Sequence, residues 1–112
     1  MSIDLYVFEP PGPASADAVH ALIEETEESW EDLPKDPSPG LSTFLEQAEL
    51  RWPEDANSPW ATSPGFEAVA GRGTLLNLTW SSATTAFPEL VAFALDHGLV
   101  VYDPQADELR RP

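Results

Sequence analysis

The sequence predicts a small α+β domain: a mixed β-sheet, with elements in the order β-α-α-β-β-α-β and helices packed mainly on one face. Three observations carry that expectation. Residues 3–8 and 74–80 alternate at the two-residue period of a strand. Apolar residues recur at helical spacing over 19–30, 41–52 and 87–95. The closing strand–helix–strand order implies a right-handed crossover between two parallel strands.

The first strand, residues 3–8, sets Ile3, Leu5 and Val7 against Asp4, Tyr6 and Phe8. Tyr and Phe on the second side suit a strand covered on both faces. A Pro-rich stretch ends it. Ser15 reads as an N-cap, with Asp17 in the first turn facing the helix dipole. Val19, Leu22, Ile23, Thr26 and Trp30 then form an apolar stripe, while Glu24, Glu25, Glu27, Glu28 and Glu31 occupy the other faces. This acidic amphipathic helix must close before Pro34.

After a turn-rich connection, Leu41, Phe44, Leu45, Ala48 and Trp52 mark a second helix, stopped by Pro53. Residues 53–65 form a long loop rich in Pro and Ser, for which Trp60 is the natural anchor. Residues 66–70 and 74–80 read as a hairpin around Gly71, Arg72 and Gly73. Pro88 fits the first turn of a third helix, whose buried stripe is Phe87, Leu90, Val91, Ala94 and Leu95. His97 falls in its last turn and Gly98 at the C′ position. Residues 99–102 form a short final strand, broken by Asp103 and Pro104, and the tail is polar.

Charge is the strongest functional signal. Residues 1–55 carry 14 Asp+Glu against 2 Lys+Arg, net −12, and residues 56–112 carry 6 against 3, net −3, for a total of −15 over 112 residues. Such a chain repels itself but attracts basic partners. It is unsuited to gripping phosphates, so nucleic-acid binding is not expected. With 42% hydrophobic residues and 4 Trp the chain has the means to build one core. There is no Cys, no signal-peptide pattern at the amino terminus and no apolar run of membrane-spanning length, so a cytoplasmic protein away from membranes is expected.

The opening segment, Asp4-Leu5-Tyr6-Val7-Phe8, and the closing His97-Gly98-Leu99-Val100-Val101-Tyr102-Asp103-Pro104-Gln105 resemble those of a loose group of small uncharacterised bacterial proteins with a DLYV first strand and a GLVVYDPQ ending. In size and charge the chain is also similar to immunity proteins, which block a co-encoded toxin. That likeness implies a binding role and leaves enzymatic activity an open alternative.

Glu24, Glu25, Glu27, Glu28, Glu31 and Asp32, together with Glu54, Asp55 and Trp60 of the 53–65 loop, are the candidate partner-binding residues. The acidic run reads as a docking face for a basic protein, as a phosphate mimic, or as a solvated surface. Like charges three and four apart cost the helix stability, and no Lys relieves them. Glu54, Asp55 and Asp103 are the carboxylates considered for acid–base work, but no sequence feature places one in a pocket. His20 and His97 read as structural, and His97 complements the end of a helix dipole. Asp55 and Asn57 begin like a calcium loop that lacks its remaining ligands, so no metal or other cofactor is expected. The serines have no nucleophile elbow. Core packing is the plainer role for Trp52 and Trp80. The favoured reading is an acidic binding protein, immunity-type or inhibitory, that docks a basic protein, for example a toxin. A small-molecule or enzymatic pocket near Trp60 and Tyr102 is the alternative, and a homo-oligomer built on a sheet edge is the third.

Overall fold

In a computed structural model, residues 2–32, 38–53, 60, 66–69 and 72–112 are described. The architecture is α+β. A five-stranded sheet has the order β2-β3-β1-β4-β5, formed by β1 (Ser2–Phe8), β2 (Phe66–Val69), β3 (Gly73–Thr79), β4 (Val100–Asp103) and β5 (Glu108–Arg110). The helices are α1 (Ala16–Glu28), α2 (Pro39–Arg51) and α3 (Trp80–Asp96), with a 3₁₀ turn, Trp30–Asp32, after α1.

The expected mixed sheet is antiparallel at every pairing. β3 and β4 do run in the same direction around the α3 crossover, but β1 lies between them and pairs antiparallel with both. The first strand is therefore the centre of the sheet. The two end segments singled out in the sequence are neighbours: Tyr6 opposes Tyr102 and Phe8 opposes Val100. Gln105 extends the pairing, taking the Asp4 backbone N–H at 3.1 Å and giving its side-chain amide to the Asp4 carbonyl at 3.0 Å.

Alternation in β1 builds two cores. Leu5 and Val7 join Leu76, Leu78 and Val101 beneath Leu41, Phe44 and Leu45 of α2 and Leu90, Val91 and Ala94 of α3. Phe8 joins Val69, Val100 and Tyr102 beneath Val19 of α1. Two helices thus cover one face and α1 covers the other. Ser15 caps α1 as expected, its hydroxyl accepting from Ala18 N at 3.2 Å. Gly98, at φ +76°, takes the left-handed conformation that ends α3.

Glu9 plays a part that the sequence did not reveal. Its carboxylate sits at the N-terminus of α2, accepting from Leu41 N at 3.2 Å and pairing with Arg72 at 2.9 Å. The neighbouring Ser38 hydroxyl, the Arg72 guanidinium and the Gly40 and Leu41 N–H groups hold its pKa below the usual range, against the opposing cost of burial. An anion placed there satisfies orphan N–H groups and complements the helix dipole.

Three boundaries move. α3 begins at Trp80, so Pro88 lies inside the helix and not in its first turn. Trp80 consequently leaves the strand and is 60% exposed, which corrects its expected core role. The tail, expected to be merely polar, forms β5 against β4. That edge strand is short and charged, with Arg110 bonded to Glu108 at 2.8 Å, a composition that discourages edge-to-edge pairing.

Candidate functional site

The acidic residues of the first helix divide between two elements. Glu24, Glu25, Glu27 and Glu28 lie on α1, and Glu31 and Asp32 on the 3₁₀ turn beyond it; all six are exposed. The helix ends two residues before Trp30, so most of this charge collects at the negative pole of the α1 dipole, with no basic residue in the last turn. Each carboxylate in that position is disfavoured by about 0.3–1 kcal/mol at low ionic strength.

Among the described residues, the arginines that could offset this charge are engaged elsewhere. Arg51 pairs with Glu89 at 3.5 Å and lies over the Trp52 ring, 4.9 Å from its centroid. Arg72 pairs with Glu9, and Arg110 with Glu108. Arg111 donates to the carbonyls of Pro11 and Pro13. Among the described residues, none of the six carboxylates takes part in a salt bridge.

Beside this acidic end, α1 stands over the sheet without closing on it. Of its apolar stripe only Val19 is buried; Leu22, Ile23 and Thr26 are half-buried and Trp30 is 42% exposed. The gap is a groove of about 580 Å³, walled on the α1 side by Ile23, Thr26, Glu27 and Trp30. Its sheet side is Tyr6, Leu75 and Val69. Tyr6 and Leu75 are directly opposed across β1 and β3, so they share one face. Ile23, Glu27 and Trp30 recur at steps of four and three, which places them along one side of the helical path.

The other end of α1 is pinned. Tyr102, 2% exposed, donates its hydroxyl proton to Asp107 Oδ1. His20 Nε2 lies 2.9 Å from the Tyr102 oxygen and 3.2 Å from Asp107 Oδ1. Since the Tyr102 proton is committed to Asp107, the His20 N–H donates toward both oxygens. Burial first, then the Asp107 carboxylate, push the Tyr102 pKa up to about 12. The Tyr102 hydroxyl in turn lowers that of Asp107, with His20 adding to the effect. A phenol held in its protonated form, inside a packed core, acts as a structural clasp between α1 and the β4–β5 hairpin. Tyr6 packs beside it with its ring tilted, centroids 6.1 Å apart, and links the clasp to the groove.

The remaining candidates take other places. Trp60 is half-buried against the α2/α3 core; its indole N–H donates to the Trp52 carbonyl at 2.7 Å and its backbone bridges Leu78. It therefore lies on the opposite face of the sheet from α1, and the structure does not bring it together with the acidic residues or with Tyr102. Glu54 and Asp55 lie outside the described residues. Asp103 accepts from the backbone of Gln105 and Ala106 and from the Gln105 amide, a turn-forming role. His97 Nδ1 is 2.8 Å from the Phe93 carbonyl, and its ring packs on Phe93 and Phe44. Burial raises the pKa of Asp4, on the strand next to Tyr6. Among the described residues no group of three or more His, Asp or Glu is arranged to hold a metal, and no helix is long and apolar enough to cross a membrane.

No family model, curated protein or solved structure matches the chain.

Proposed function

We propose that this chain is an acidic cytoplasmic binding protein, immunity-type or inhibitory, that docks a basic protein through α1 and the 3₁₀ turn. One observation carries the reading: six exposed carboxylates crowd the C-terminal part of α1 and the 3₁₀ turn beyond it, while every described arginine is engaged elsewhere. A cationic partner relieves that repulsion on binding, whereas the free protein retains it. Complementary charge of this kind speeds association and gives it a strong salt dependence.

The test replaces Glu24, Glu25, Glu27, Glu28 and Glu31 with Gln. The variant keeps or gains thermal stability, because each like-charge pair removed relieves about 0.2–0.5 kcal/mol. It loses capture of the basic protein that the unmodified chain retains from lysate, identified by mass spectrometry. Undiminished capture of that identified partner removes α1 from the docking surface.

A further inference from the structure

We infer that the groove between α1 and the sheet seats an arginine side chain of the basic partner, with Glu27 as its counter-charge and Trp30 and Tyr6 as its aromatic walls. The inference rests on the reading of α1 as a docking face, and it identifies which part of that face selects the partner.

The lining limits the occupant. Val69, Leu75 and Ile23 make much of it apolar, and the Thr26 hydroxyl already donates to the Leu22 carbonyl at 2.7 Å. Among the described residues that line it, Glu27 is the only carboxylate. An anionic ligand would meet Glu27 and the charge at the end of α1. A neutral apolar ligand would cover the Glu27 carboxylate and leave it unpaired, which is costly. A cation with an apolar stem satisfies both parts of the surface. Between the two cationic side chains, guanidinium is planar, weakly hydrated and stacks on aromatic rings, while ammonium is compact and strongly hydrated. Trp30, nearly half exposed, adds an aromatic side chain to the rim beside Glu27, a surface that suits guanidinium better than ammonium. A volume of about 580 Å³ also leaves room for an apolar residue flanking the arginine.

The probe is the tripeptide acetyl-Leu-Arg-Leu-amide, compared with its citrulline and lysine counterparts. Citrulline keeps the shape and removes the charge. Binding is followed by ¹⁵N–¹H NMR at the Trp30 indole and at the Ile23 and Glu27 amides. The arginine peptide produces saturable shifts there with a dissociation constant on the order of 1 mM, and the citrulline peptide binds about tenfold more weakly. Glu27→Gln, an exposed change that leaves the fold intact, brings the arginine peptide down to the citrulline level, and Trp30→Ala does the same. Equal binding of the arginine and citrulline peptides overturns the inference. So does the absence of saturable shifts at the groove, or a response confined to Glu24, Glu25 and Glu28. The two levels of the argument separate in capture experiments with the identified partner. If Glu24→Gln/Glu25→Gln/Glu28→Gln abolishes capture and Glu27→Gln does not, docking on α1 stands and the arginine pocket falls. If the arginine peptide titrates the groove while the partner ignores every α1 variant, the pocket stands and the docking reading falls.

Discussion

Tyr102→Phe tests the clasp that fixes α1, and its effect must change with pH in a defined sense. The substitution removes one hydroxyl from a side chain that is 2% exposed and keeps the ring packing. It deletes the bond to Asp107 Oδ1 and the one from His20 Nε2. His20 and Asp107 remain 3.2 Å apart and are both more than half exposed, so water replaces much of what is lost. At about 1 kcal/mol per bond, discounted for that hydration, the expected loss near neutral pH is about 1–2 kcal/mol. Alkaline pH reverses the balance. The Tyr102 pKa is raised from 10.0 to about 12 in the folded protein, so its stabilising contribution is complete below pH 10 and is lost as pH rises from 10 to 12. The unfolded chain gains about 1.4 kcal/mol per pH unit in that window by ionising Tyr102, whereas the Phe variant has nothing there to ionise. The gap between wild type and variant therefore shrinks to near zero by about pH 11. Urea unfolding followed by far-UV circular dichroism at pH 8, 10 and 11 measures it. A gap that stays constant from pH 8 to 11 would refute the clasp, as would a variant as stable as wild type at pH 8.

Trp60→Ala removes a half-buried indole and its bond to the Trp52 carbonyl, so urea unfolding of the monomer should show a loss of about 2–4 kcal/mol, below that of a fully buried Trp; a loss under about 1 kcal/mol would mean that Trp60 does not anchor its loop. Gly73→Ala places a Cβ 2.5 Å from Cδ1 and Cε1 of Phe8, and the overpacking should cost about 1–3 kcal/mol by thermal unfolding. Glu9→Gln should destabilise the protein by about 1–2 kcal/mol at neutral pH. Because the Glu9 pKa is lowered from 4.5 in the fold, that advantage is present above pH 4.5 and lost as pH falls below it, so unfolding midpoints of wild type and variant should converge in acid.

The legible parts of the fold were those written in local chemistry. Ser15 and Gly98 each serve a helix end in the way their residue types dictate, and the stripes of α2 and α3 reach the core they were expected to fill. Tyr6 and Phe8 on the second side of β1 foretold a sheet covered on both faces. Pro88 was misleading because proline is best tolerated in a first turn; here the helix extends upstream from it, and Trp80 goes with the helix into solvent. β5 has only three residues and a charged pattern, so its pairing with β4 alone makes it a strand. At the candidate site the acidic run was plain in the sequence. The groove was not, since Tyr6 reaches it from the first strand and Val69 and Leu75 from a hairpin far later in the chain, and Trp30 read as core until the helix ended short of it. The clasp joins His20 to residues 82 and 87 positions away, a separation no local pattern encodes.

The central place of β1 has a consequence for how the chain reaches its native state. The residues at the middle of the sheet are made well before their partners, β3 at 73–79 and β4 at 100–103. Until both arrive, β1 has two open edges and apolar side chains on both sides. Closing two loops of that length before any pairing is rewarded is entropically slow. During synthesis the early half is therefore an unpaired, aggregation-prone strand followed by a strongly acidic stretch. The repulsion that burdens α1 in the finished protein keeps nascent chains apart during that interval.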